Sequence, residues 1–136
     1  MRAMKNRISL YHFLPGIAWF FIVLFLIGMP GRDIPGNSFL ESINFDKMVH
    51  ALIFGLMVIL FVRPLVMSNL TAECKKKYFI LITVLTILWG LATEYIQKYF
   101  VPGRDFDLWD FAADALGAGM AGFFSLKYLL HYFIKK

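Results

Sequence analysis

Charged residues are scarce in this 136-residue chain. Asp, Glu, Lys and Arg make up 17% of it against 60% hydrophobic residues. A soluble domain of this size has too little interior to hide so much apolar surface, so that class is excluded. Cysteine is nearly absent. A single Cys74 rules out an intramolecular disulfide, and its place beside Lys75, Lys76 and Lys77 reads as a bystander thiol in a cytoplasmic loop. No Cys/His zinc spacing occurs, no phosphate-cradling glycine loop followed by Lys-Ser/Thr, and no Gly-x-Ser-x-Gly elbow. The dipeptide Gly103-Arg104 beside Pro102 is a turn and offers no nucleotide site.

What is present is length in apolar runs. Mean hydropathy is +0.66, and four segments carry it, at about 11–29, 47–67, 78–97 and 108–134. A bilayer crossing takes about 20 residues at about 1.5 Å each. The expected fold is therefore all-α: a single membrane domain, 1–136, built as a four-transmembrane-helix bundle. The second and third runs reach that length only with their polar ends, which places those ends at or inside the interface. Arg2, Lys5 and Arg7 precede the first run as they would in a signal peptide, but no small-x-small site follows, so the helix is expected to be retained. The Pro/Gly-rich stretch 30–45 reads as a loop with a short interfacial helix around Phe39–Ile43.

The net charge of +5 lies in short segments between apolar runs, the pattern of membrane topology and not of a nucleic-acid face. With the N-terminus inside, ten of the fourteen Lys and Arg residues are cytoplasmic, and only Arg32, Lys47, Lys98 and Arg104 are outside. Both termini are then cytoplasmic. Tyr95, Tyr99 and Trp109 fall at the outer interface, and Tyr78, Tyr128 and Tyr132 at the inner one.

In that topology every acid except Glu73 lies toward the outer side. Several enter the apolar runs. Asp46, Lys47 and His50 open the second helix, Glu94 and Gln97 close the third, and Asp107, Asp110 and Asp114 open the fourth. At 3.6 residues per turn the last three share one face, within an arc of roughly 60°. Asp46/His50 and Glu94/Gln97 are each spaced to share a face too. Asp107 and Asp110 fit the N-cap and N3 positions of a capping box, and Gly117, Gly119 and Gly122 suit close helix packing. Capping does not reach Asp114, past the first turn, and the dipole opposes Glu94 at a helix C-terminus. Both need a partner: Lys47, His50, Arg104, a shared proton or a bound cation.

The series Asp-Lys-x-x-His (46–50), Glu-x-x-Gln (94–97) and "PGRDFDLWDFAADALGAGMAG" (102–122) resembles the VanZ-like family of small bacterial membrane proteins over about residues 44–122. The resemblance singles out Asp46, Lys47, His50, Glu94, Gln97, Arg104, Asp107, Asp110 and Gly117. The departure is Asp114, where the family more often has Asn; Asp adds a proton or cation site. The resemblance implies multi-pass residence in a bacterial cytoplasmic membrane. It also links the chain to a family whose founding member is associated with teicoplanin resistance, without supplying a molecular activity.

Three functions remain open. One is binding or modifying an envelope amphiphile, a lipid-linked precursor or a glycopeptide-type drug, at the outer face. Another is a structural or accessory module in which the cluster only locks the helices, and the third is proton- or cation-coupled transport or sensing. The sequence does not decide between enzyme and binding protein. It calls for no organic cofactor, leaves a divalent cation as the one candidate, names the lipid bilayer as partner and does not fix the oligomeric state.

Overall fold

The computed structural model describes residues 8–29 and 45–130. The readings placed on Arg2, Lys5 and Arg7, on the interfacial helix near Phe39–Ile43 and on Tyr132 and the fourth run beyond 130 lie outside the described residues. Within them the secondary structure is helical throughout, with no strand. Helix α1 spans Leu14–Ile27 behind a 3₁₀ turn at Leu10–Phe13, α2 spans Phe45–Val66, α3 Ala72–Phe100 and α4 Leu108–Phe124, followed by a π-helical turn at Ser125–Leu129. Three of these, Leu10–Ile27, Phe45–Val66 and Ala72–Phe100, are long and apolar enough to cross a membrane.

Local chemistry sets the ends. Pro15 lies in the first turn of α1, where its missing N–H has no helical partner to lose. Thr71 caps α3 by accepting the Cys74 N–H at 3.3 Å, so this helix begins at Ala72 and not near Tyr78. That start draws the Lys75–Lys77 run into the helix. Lys75 is 8% exposed and donates to the Val66 carbonyl at 2.8 Å, satisfying the last turn of α2. At its other end α3 continues to Phe100, so Glu94 stands inside the helix and Gln97 at the start of its final turn. The α3–α4 connection turns at Gly103, whose φ of 76° suits glycine, and the Arg104 N–H closes the turn on the Val101 carbonyl.

Packing centres on α2 and α4, which run parallel, with α3 antiparallel to both. Lys47 with Asp110, His50 with Asp114 and Gly55 with Gly117 step along α2 and α4 together, while Glu94 with Asp107, Gly90 with Asp114 and Thr83 with Gly122 step in opposite senses. A methyl at Gly117 would fall on the Ala51 backbone carbonyl, and one at Gly122 on the Thr83 side chain, so both glycines permit close approach. Gly119 departs from the expected packing face: a methyl there would meet nothing within 4 Å among the described residues.

Helix α1 joins through the Trp19 indole N–H, which donates to the Ile53 carbonyl at 3.0 Å. The core, with Val23, Phe54, Met57, Val58, Val62, Phe79 and Ala118, is apolar. Phe25, Leu52, Trp109, Met120 and Phe123 are more than 60% exposed on the outside. An apolar exterior over an apolar core is what a bilayer solvates.

Candidate functional site

The parallel start of α2 and α4 sets their polar first turns side by side. Lys47 donates to Asp107 Oδ2 at 2.7 Å and also bonds Asp110 Oδ1. One turn deeper, His50 Nδ1 and Asp114 Oδ1 share a hydrogen bond of 2.9 Å, and His50 Nε2 lies 3.7 Å from Asp110 Oδ2. Asp46, at the mouth, is exposed and 3.9 Å from Lys47. Close packing at Gly117 is what lets side chains as short as Asp reach across.

From the third side α3 contributes Glu94. Its Oε2 accepts the backbone N–H of Asp107 at 2.9 Å, while Asp107 Oδ1 accepts the Trp109 N–H at 2.8 Å as the N-cap of α4. The expected capping box is therefore half present. Asp107 caps, but Asp110 is turned to Lys47, and the carboxylate that reaches the N-cap amide comes from another helix. Glu94 thus faces the positive end of α4, which supplies the stabilisation its own helix does not.

Gly90 makes room for the cluster, since a Cβ there would sit 2.9 Å from Asp114 Cβ. Thr93, buried beside Glu94, turns its hydroxyl inward to the Gly90 carbonyl at 2.7 Å. Gln97 is buried on the same face of α3. Arg104 pairs with none of the described acids, and its Nε is buried without a partner among them. Gly90 and Thr93 belong to the site although neither carries a charge. The signal was available, because small residues four and one before Glu94 mark the side from which another helix approaches.

The cluster is acidic by count. Lys47 and a protonated His50 supply two positive charges, whereas Glu94, Asp107, Asp110 and Asp114 supply four negative ones, or five with Asp46. Lys47 answers the outermost pair, and its ammonium holds the Asp107 carboxyl below the usual carboxylate value. Deeper in, Glu94 and Asp114 are both 0% exposed, and Glu94 Oε1 and Asp114 Oδ2 have no hydrogen-bond partner among the described residues. Two sets of side chains bring their ligand atoms within 4.8 Å of one another: Asp46, His50 and Asp110 at the mouth, and His50, Glu94 and Asp114 beneath. Such groups can exchange protons, hold a cation, or accept bonds from a ligand's donors.

Below the cluster lies a cleft of ≈ 190 Å³ between α1, α2 and α3, lined by Phe20, Met57, Phe61, Leu85, Thr86 and Trp89. Met57 stands seven residues beyond His50 on α2, about 10 Å further along the axis.

The fold and site thus define an all-helical protein with three helices fit to span a membrane and a buried acidic cluster where α2, α3 and α4 meet. No family model, no curated protein and no solved structure matches the chain.

Proposed function

We propose that this is a four-span membrane protein of the VanZ-like type, both termini cytoplasmic, in a bacterial inner membrane. In this reading the cluster binds or modifies the head group of an envelope amphiphile at the outer face. The observation that carries it is the pair of buried, unpartnered oxygens, Glu94 Oε1 and Asp114 Oδ2. A polar network that serves only to hold helices together is stabilising when every member is satisfied. Acceptors left open at the meeting point of three helices suit a ligand's hydroxyl or ammonium donors. The charge count sharpens the choice of head group. Lys47 is already committed to two carboxylates, so the inner cluster favours donor-bearing or cationic groups over a phosphate. The apolar cleft beneath suits the amphiphile's chain.

The bonds from Lys47 to α4 and from Glu94 to Asp107 favour a second reading, the structural lock. Coupled transport has less support, because beyond the cluster the described buried side chains are mostly apolar, with only Thr86, Ser125 and Lys75 polar among them. One experiment separates them. In a host whose susceptibility to a teicoplanin-type glycopeptide depends on this protein, Glu94→Gln and His50→Ala abolish the phenotype at unchanged membrane abundance if the cluster is a site. If it is a lock, abundance and thermal stability fall together with the phenotype. Variants that behave as wild type in both respects sink the proposal.

A further inference from the structure

We propose that His50, Glu94 and Asp114 bind one divalent transition-metal ion of the zinc or manganese class. The inference rests on reading the cluster as a site and not on the identity of any amphiphile. Three independent helices supply the three residues, and each offers a ligand atom within 4.8 Å of the other two. Ligands at about 2.0–2.2 Å on a tetrahedral ion stand about 3.3–3.6 Å apart, so atoms already within 4.8 Å of one another need only side-chain movement to complete the set. Both carboxylates are wholly buried, and each turns an oxygen without a partner into the protein. The hydrogen bond between His50 Nδ1 and Asp114 Oδ1 already brings two of the ligands together and is exchanged for the ion, while Glu94 Oε2 is held from outside the set by the Asp107 amide. Metal sites typically hold their ligands by such outer contacts.

Charge points the same way. Two anions at this depth cost several kcal/mol unless they are neutralised, and the imidazole supplies at most one positive charge. A divalent ion answers both. One imidazole with two carboxylates suits zinc or manganese better than calcium, whose sites are built of oxygens. The mouth set of Asp46, His50 and Asp110 is the weaker host, because the Lys47 ammonium bonds Asp110 directly and repels a cation there.

The test uses the full chain in detergent, its affinity tag removed and the protein stripped with chelator. It is titrated with Zn²⁺, with Mn²⁺, and with Co²⁺ as a spectroscopic stand-in for zinc. The expected result is one ion per chain, a visible d–d absorption with Co²⁺, and a thermal midpoint that rises with metal concentration. Asp114→Asn and Glu94→Gln each weaken binding by at least about tenfold. Glu73→Gln, at the far end of α3, leaves it unchanged. The inference is overturned if wild type shows no saturable binding and no midpoint shift up to about 1 mM metal, or if binding survives both site variants. A carboxylic-acid band in the infrared spectrum, with no metal uptake, would assign the pair a shared proton instead. Should Asp114→Asn not fold, Glu94→Gln and the wild-type titration still decide. Because no amphiphile is present, failure here is separate from failure of the drug-susceptibility experiment.

Discussion

Glu94 on α3 accepts the backbone N–H of Asp107, the N-cap of α4, at 2.9 Å. In a capping box that amide is taken by the helix's own N3 side chain. Here the N3 residue, Asp110, is committed to Lys47 of α2. The first turn of α4 is therefore completed by one neighbouring helix and neutralised by another, and three helices are tied at a single turn.

This arrangement separates two substitutions at Glu94. Alanine leaves the Asp107 amide without its partner, at a cost of about 1–3 kcal/mol. Glutamine keeps an oxygen to accept that bond while removing a buried charge. In thermal unfolding in detergent, Glu94→Ala should lose substantially more stability than Glu94→Gln. Equal midpoints for Glu94→Ala and wild type would mean that Glu94 does not support the cap.

The glycines of α4 make a paired prediction. At Gly117 an added methyl meets the Ala51 carbonyl, and rigid backbone does not yield as a flexible side chain does. Gly117→Ala should therefore cost about 1–3 kcal/mol by overpacking and disturb the Lys47 and His50 contacts that the close approach permits. Gly119→Ala meets nothing within 4 Å among the described residues and should stabilise α4 by up to about 1 kcal/mol through helix propensity. Thermal midpoints of the two variants should move in opposite directions.

The convergence of Lys47, His50, Glu94, Asp107, Asp110 and Asp114 was legible in the sequence because polar residues are costly in apolar helices. Their spacing at three and four residues also fixes a shared face. What was not legible was which carboxylate took which donor. Asp107 and Asp110 fit a local capping box by spacing alone, and nothing local announces that Glu94, far away in sequence, outcompetes Asp110 for the N-cap amide. Charge alone offers Arg104 as a partner for the acids, yet its turn leaves it unpaired among the described residues. Gly117, Gly119 and Gly122 look alike on paper. Only the approach of Ala51 and Thr83 distinguishes Gly117 and Gly122 from Gly119. Hydropathy assigns Lys75 to a loop because it cannot see that Thr71 starts the helix before it.

Lys75 should therefore behave unlike its neighbours. Its ammonium bonds the Val66 carbonyl at the end of α2, where a cation also suits the helix dipole. Lys75→Met should cost about 1.5–3 kcal/mol, the range for hydrogen bonds to charged groups. The exposed Lys76→Met and Lys77→Met should leave the thermal midpoint in place. If all three respond alike, the Lys75–Val66 contact contributes nothing.

Acidification should act through Asp107. The Lys47 ammonium at 2.7 Å holds its carboxyl below the usual value, whereas in the unfolded chain it titrates near about 3.9. A carboxyl depressed in the folded state adds stability above its unfolded pKa, and that stability is lost as the pH falls through the folded one, because the unfolded chain binds the proton first. Asp107→Asn lacks this contribution. The difference in thermal midpoint between wild type and Asp107→Asn should therefore shrink between about pH 7 and about pH 3. Because the depression comes chiefly from Lys47, the shrinkage should be much weaker in a Lys47→Met background. A midpoint difference that stays constant with pH, or that shrinks equally without the ammonium, would show that the Lys47–Asp107 pair does not couple protonation to folding.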